Sequence, residues 1–377
     1  MKKGAAALLF CLTSIMINAQ YKVHFLFSRL PPYHNTADTI YIAGSFNRWN
    51  PKNPQYAVVA KDKKSGITID LPKGMFEYKF TLGNWDAAES GEGGTAMENR
   101  FFTIEKDTTI LVEIDHWTDH FPKKPKASTA SPNVHILDTA FYMPQLNRHR
   151  RVWIYLPPSY ATTKKKYPVL YMHDGQNLFD HGTSSFGEWG VDEALDTLSH
   201  QYGEAIVVAV DHGGEKRINE YSPFDMENYG KGEGDAYVDF LAQTLMPYIN
   251  HHYRTKRSAR YTAIAGSSMG GLISFYAALK YPNKFGAAGV FSPAFWIVPQ
   301  IKDYTTRQAA KAKGRFYFYA GQQESDAMVP DMLAAFDILN QHSKARLKTH
   351  IRAEGKHSEE TWREEFPGFY QWLVKDE

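Results

Sequence analysis

Residues 263–271 read Ala-Ile-Ala-Gly-Ser-Ser-Met-Gly-Gly, an apolar strand pattern running into Gly-x-Ser-x-Gly, and a helix pattern, Leu272 to Leu279, follows directly. A serine set on so sharp a strand-to-helix turn has its hydroxyl pushed clear of the backbone, as a nucleophile requires. Gly266 and Gly270 leave room for the turn, because a Cβ at either place would crowd the neighbouring strand and helix. Ser268 also stands at a helix N-terminus, where unpaired amides and the helix dipole stabilise a developing negative charge. The chemistry that fits is attack by the Ser268 hydroxyl on an acyl carbon.

A serine hydroxyl is a weak nucleophile at neutral pH and needs a general base that is itself oriented by an acid. On a strand–elbow–helix scaffold of the α/β-hydrolase kind these follow the serine in the order acid, then histidine, each after a late strand. His357, in Gly355-Lys356-His357-Ser358, comes after the strand pattern Leu347 to Ile351 and before the last helix. The strand pattern Phe316 to Ala320 runs into Gly-Gln-Gln-Glu-Ser-Asp, which holds two carboxylates. Glu324 lies nearer the strand end and is preferred; Asp326 serves if the loop coils back. Acyl transfer also needs two amides aimed at the oxyanion. The N–H of Met269 is one. The other is expected from the loop after the strand Pro168 to Met172, where Gly175 lets the backbone turn and the Gln176 N–H is the candidate donor. His173 and Asp174 precede the serine and would duplicate the base, so they read as groups that close this loop by hydrogen bonds.

Strands and helices must alternate to deliver these residues to one edge, and over residues 134–377 they do. Val152 to Leu156, Pro168 to Met172, Ala205 to Val210, Ala287 to Phe291, Phe316 to Ala320 and Leu347 to Ile351 are strand patterns. Helix patterns start at Val191 and run over Ala236–Ile249, Val329–Leu339 and Glu359–Val374. The expectation is a doubly wound α/β domain with a mostly parallel sheet, an α/β-hydrolase. Residues 20–117 have another rhythm, short β-rich runs divided by Gly, Pro and Asn, which predicts a small immunoglobulin-like β-sandwich. Residues 118–133, rich in Pro, Lys and Ser, read as a linker. Residues 1–19 carry Lys2 and Lys3, an apolar run from Ala5 to Ile17, then Asn18-Ala19, the pattern of a secretory signal peptide. That run is too short for a membrane span. The single cysteine, Cys11, lies inside it, so the mature chain is expected to be a periplasmic or secreted protein without disulfides.

With 43 Lys and Arg against 41 Asp and Glu, the chain's net charge of +2 implies no polyanionic partner and no nucleic acid. His116 and His120 have helical spacing but stand at the Pro-rich boundary, where no rigid helix would hold a ligand pair. There is no His-Glu-x-x-His and no phosphate loop, so neither metal nor cofactor is expected.

From about residue 133 to its end the chain resembles the esterase D family of α/β-hydrolases, which takes in enterochelin esterases, feruloyl and acetylxylan esterases and mycolyltransferases. The matching pieces are Arg151 to Pro158, His173 to Asp180, Trp189 to Asp192, Gly266 to Gly271 and Gly355 to His357. By that resemblance Ser268, Glu324 and His357 take the triad roles, with Gln176 and Met269 forming the oxyanion hole. Family members often carry Asp as the acid, so Glu324 departs from the pattern. The stretch 211–234, with Arg217, Glu220 and Tyr221, reads as lid-like and shapes the acyl pocket, with Trp189 and Phe295-Trp296 as further lining. In the first domain, Gly44 to Pro51, Phe76 to Phe80, Gly83 to Asp86 and Glu98-Asn99-Arg100 are similar to starch- and glycogen-binding modules. That similarity implies sugar stacking on Trp49 and Trp85 and hydrogen bonds from Lys79 and Asn99; otherwise the tryptophans are core aromatics of a spacer. The combined expectation is an exported serine carboxylesterase that works through an acyl-enzyme on carbohydrate-linked feruloyl or acetyl esters, with α-glucan binding by the first domain. A siderophore trilactone esterase, an acyltransferase on the same scaffold and a non-catalytic glucan-binding protein are the alternatives.

Overall fold

Val169–His173, Ile206–Val210 and Ala287–Phe291 are short runs with every residue buried, as happens when a parallel sheet is covered on both faces. The computed structural model describes residues 20–47, 49–61, 65–122, 126–226 and 229–375; the segment read as a signal peptide, 1–19, lies outside the described residues. The chain divides into two units between residues 123 and 124.

In the second unit eight strands make one sheet: β1 (Val134–Met143), β2 (Arg148–Tyr155), β3 (Val169–His173), β4 (Ile206–Val210), β5 (Thr262–Ser267), β6 (Ala287–Phe291), β7 (Arg315–Gly321) and β8 (Arg346–Arg352). Their order is β1-β2-β4-β3-β5-β6-β7-β8. β2 runs antiparallel to β1 and β4, and every pairing from β4 to β8 is parallel. Helices α1 (Val191–Tyr202) and α4 (Glu359–Lys375) cover one face through Leu195, Trp362, Phe366 and Phe369. On the other face lie α2 (Met269–Lys280), α3 (Met328–His342) and a helical run from Gly234 to His252. This is the α/β-hydrolase-like arrangement with a mostly parallel sheet. It sends the carboxyl ends of β3, β5, β6, β7 and β8 to one rim, where open α/β sheets bind ligands.

The first unit is β-rich. Gln20–Arg29, Gly66–Pro72 and Thr108–Glu113 form a three-stranded sheet; Ala57–Val59, Thr39–Gly44, Gly74–Thr81 and Arg100–Ile104, in that order, form a four-stranded antiparallel one. Val23, Phe25, Phe27 and Val112 from the former share a core with Ile40, Ile42 and Phe80 from the latter. Within the stretch read as linker, Thr118–His120 forms a 3-10 turn. Farther on, the Thr129 N–H bonds Asp180 at 3.2 Å and the Ser131 N–H bonds Asp192 at 2.7 Å, so its C-terminal half is fastened to the second unit. Among the described residues no helix is long and apolar enough to cross a membrane.

Candidate active site

At the end of β5 the backbone of Ser268 takes φ 58° and ψ −119°, a conformation costing on the order of 1–3 kcal/mol for a residue with a side chain. Its surroundings hold it there. The Ser268 N–H donates to the Phe291 carbonyl at 2.9 Å, and its own carbonyl accepts from Leu272 at 3.0 Å and Ala294 at 3.1 Å. Packing explains the glycines. A Cβ on Gly266 would come within 3.0 Å of the Gly270 backbone and of the His173 ring, and one on Gly271 within 2.7 Å of the Phe291 carbonyl. Ser267 and Met269 are buried while Ser268 is half-exposed. Met269 is the first residue of α2, so its N–H has no acceptor within the helix.

His357 lies in the loop between β8 and α4. Its Nδ1 is 2.7 Å from Oε2 of Glu324, in the loop after β7. A carboxylate only accepts, so the Nδ1–H donates and Nε2 becomes the basic nitrogen. The other carboxylate oxygen, Oε1, accepts from the Ser292 hydroxyl at 2.7 Å and the Gly321 N–H at 2.6 Å. Ser292 Oγ in turn accepts from the Trp362 indole at 2.9 Å, and the Trp362 ring meets the His357 ring edge-on at 4.9 Å. Glu324 is 3% exposed with three donors on it; Asp326 sits on the exposed side of the loop. Ser292 and Trp362 were not anticipated. One available signal is the chain's Phe-Ser-Pro after β6, the position from which a side chain reaches the loops of both neighbouring strands.

After β3 the chain turns through Asp174 with φ 59° and ψ 46° into a short 3-10 turn, Gly175–Asn177. Its first hydrogen bonds run from the Asn177 N–H to the Asp174 carbonyl (2.8 Å) and from Leu178 to Gly175 (3.3 Å), so the Gln176 N–H precedes them. Asp174 is gripped by Arg217, whose Nε and Nη2 reach its two carboxylate oxygens at 2.7 and 2.8 Å. Burial alone would raise the Asp174 pKa, but the charge and hydrogen bonds of Arg217 hold it below the ordinary carboxylate value. His173 donates or accepts at Nδ1 with the Tyr237 hydroxyl at 3.0 Å, and burial lowers its pKa to about 4, which keeps it neutral. A second grip comes from the His212 N–H, which bonds the Gln176 side-chain oxygen at 3.2 Å.

The stretch 211–234 therefore differs from the lid-like expectation. Arg217 clamps the loop that carries Gln176, Tyr221 is fully buried with its hydroxyl 3.3 Å from the Asp174 N–H, and Glu220 is fully buried against Arg148 and Arg150. The buried Glu220 carboxylate is tolerated because two guanidiniums pair it, and removing either would leave charge uncompensated. Trp189 and Phe295 likewise pack inside, against Phe291 and Phe275, and Trp296 is left 43% exposed. Glu359, at the start of α4, lies 3.4 Å from the Asn177 amide. Burial pushes its pKa up to about 7, against the opposing pull of His357 and Arg217.

In the first unit the rings of Trp49 and Trp85 stand 6.3 Å apart, their planes at 43°. Trp85 is 39% exposed and Trp49 is half-buried at φ 56°. Lys79 donates to the Met97 carbonyl and Asn99 to Glu77 at 3.2 Å, so both polar candidates already have partners within the unit.

Residues 143–373 match the Esterase family model, described as "Putative esterase". An uncharacterised Bacillus subtilis protein, YbbA, is 28% identical over 182 residues, 47% of this chain and 69% of its own. An alpha-amylase of Niallia circulans is 34% identical over 83 residues, 21% of this chain and 6% of its own. Among solved structures, the enterobactin esterase FES of Shigella flexneri is similar at TM-score 0.56 and 17% identity, covering 94% of this chain and 92% of that one. A ferulic acid esterase is similar at TM-score 0.51 and 19% identity, covering 64% and 99%. At such identities the structural likenesses speak for the fold.

Proposed function

Because the chain belongs to the esterase family, we propose that it is a serine carboxylic ester hydrolase in which Ser268 is the nucleophile, His357 the base and Glu324 the acid. The observation that carries this reading is the 2.7 Å pairing of His357 with a buried, triply bonded Glu324, on the rim where β5 delivers Ser268. In the first step Ser268 Oγ attacks the ester carbon as its proton passes to His357 Nε2. The N–H groups of Met269 and Gln176 take the negative charge on the former carbonyl oxygen. Collapse of that intermediate expels the alcohol, protonated by His357, and leaves an acyl-serine. Water activated by the same imidazole then releases the acid.

The substrate class that best combines the two units is a carbohydrate-linked acyl ester, feruloyl or acetyl. The similarity to a ferulic acid esterase and the partial match to an alpha-amylase support it, as does the Trp49–Trp85 pair on an immunoglobulin-like sandwich. A second reading, hydrolysis of a siderophore trilactone, is favoured by the likeness to the enterobactin esterase, which extends over 94% of the chain. The N-terminal segment read as a signal peptide supports a periplasmic or secreted protein. A panel of methyl ferulate, acetylated xylan, an aryl acetate and a catecholate trilactone separates these. Turnover of the first two at 10-fold or more above the trilactone supports the carbohydrate reading; the reverse order transfers the proposal to the siderophore.

A further inference from the structure

The net charge of +2 conceals a local excess of cations. Residues 157–168 and 250–261 hold Lys164 to Lys166, Arg254, Lys256, Arg257 and Arg260, and no Asp or Glu. The fold joins the two segments. The Tyr167 N–H donates to the Arg254 carbonyl at 2.9 Å, the Lys256 N–H to the Tyr167 carbonyl at 2.8 Å, and the Arg254 N–H to the Tyr160 hydroxyl at 3.2 Å. These segments lead into β3 and β5, which start level with each other, Val169 beside Thr262. The cations therefore gather at the end of the sheet opposite Ser268, about 20 Å away at ~3.3 Å per strand residue.

Several of these charges are fixed in place by neutral groups. The Arg254 guanidinium donates to the Tyr160 and Lys165 carbonyls and lies 3.8 Å over the Tyr160 ring. Arg257 donates to the Asn250 carbonyl at 2.6 Å, and Lys256 stands 4.3 Å over the Tyr261 ring. Carbonyls and rings orient a cation without cancelling its charge, so the fields of Arg254 and Arg257 persist in the solvent beyond. Glu204 enters the group, held by Lys165 and by the Ser159 hydroxyl at 2.6 Å. A cavity of about 180 Å³ borders both segments, lined by Lys165, Lys166 and Lys256 together with Tyr202, Glu204 and Val374 from elsewhere in the unit.

We propose that this face is an accessory binding site for a carboxylated polysaccharide, a chain of uronate residues. Carboxylates repeating along a polymer match cations set along two adjoining segments, and the concavity at Lys165, Lys166 and Lys256 gives the chain a place to seat. The surface suits other polyanions less. Residues 161–166, Ala-Thr-Thr-Lys-Lys-Lys, offer no large apolar side chain to a lipid surface. Of the tyrosines on which nucleic-acid bases would stack, Tyr160 and Tyr261 are covered by Arg254 and Lys256, Tyr202 by Lys375, and Tyr167 is fully buried. The site is independent of the reading of Ser268.

The test is binding of the full chain to polygalacturonate at low and moderate salt, beside a neutral glucan, duplex DNA and vesicles containing phosphatidylglycerol. The same measurements are made on Lys164→Ser/Lys166→Ser/Arg257→Ser, three exposed positions, with thermal melting as the check on folding. Polygalacturonate is expected to bind tightest of the four, to weaken about 10-fold or more with added salt as surface charge is screened, and to lose at least 10-fold in the triple variant. Unchanged affinity in a folded variant, equal binding of the neutral glucan, or tighter binding of DNA or vesicles overturns the assignment.

Discussion

Glu324 and Asp326 are two positions apart in one loop, and their surroundings separate them. Glu324 Oε1 is anchored by Ser292 and Gly321, which leaves Oε2 aimed at His357 Nδ1; Asp326 faces solvent. In Glu324→Gln the imidazolium loses the charge that stabilises it, and kcat on an aryl ester is expected to fall roughly 10²-fold or more. Asp326→Asn is expected to stay within twofold, and the opposite ranking reassigns the acid. Arg217 acts at one remove. It holds Asp174 in a left-handed conformation that few side-chain-bearing residues adopt, and the Gln176 N–H takes its direction from that turn. Arg217→Lys keeps a cation but loses the two-pronged bond. A kcat lowered about 10-fold at constant KM, with affinity for a boronic-acid analogue falling in parallel, is the expected outcome. A change in KM alone would place Arg217 in substrate binding instead.

Among the elements, α1 carries a buried carboxyl that ties the chain just before β1 to this helix. Asp192 is fully buried, its Oδ2 accepts the Ser131 N–H at 2.7 Å, and its Oδ1 has no partner. Burial, with the neighbouring Glu193 carboxyl, raises its pKa to about 7 against the lowering effect of the Ser131 N–H. The folded chain thus holds this proton more tightly than the unfolded chain, whose carboxyl titrates near 3.9. The resulting stability is complete below that value and is lost as pH rises through about 7. Asp192→Asn, neutral throughout, is expected to flatten the fall in Tm between pH 5 and 8; an unchanged slope would assign it to other groups. The elements differ in how legible they were. β3 to β7 announced themselves as apolar runs because both sheet faces bury them, β8, at the sheet's other edge, by the alternation of its exposed and half-buried residues, and α2 by the elbow before it. β1 was not read as a strand, since at the sheet's edge most of its residues are exposed and Asp138-Thr139 divides its apolar residues into two short pieces. The proposed triad of Ser268, His357 and Glu324 was legible from the order of these residues after strand ends. The inward turn of Arg217, Glu220 and Tyr221 was not, because the partners of each, Asp174, Arg148 and Arg150 among them, lie some 40 to 70 residues away in sequence.

For the whole molecule, composition hid as much as it disclosed. A charge of +2 averages a basic face away, and a high aromatic content covers both packing rings such as Trp189 and the partly exposed pair in the first unit. If that pair holds glycan, Trp49→Ala/Trp85→Ala abolishes retention on an α-glucan and leaves aryl ester turnover unaltered. Each ring contact is worth about 0.5–1.5 kcal/mol beyond its buried area, enough together to take a weak site past detection. Retention that survives the double substitution, or a wild-type chain that never binds, makes the first unit a spacer.

The central claim is that an acyl group passes through Ser268. Intact-mass and peptide mapping after treatment with an aryl alkylphosphonate tests it most directly, because the reagent phosphonylates an activated serine far faster than an ordinary hydroxyl. One adduct per chain is predicted, mapping to the peptide that contains Ser268, with ester hydrolysis lost in step. Ser268→Ala is predicted to take up none and to lose on the order of 10⁴-fold or more in turnover. An adduct on another residue, or a Ser268→Ala chain that still hydrolyses esters at the parent's rate, would contradict it.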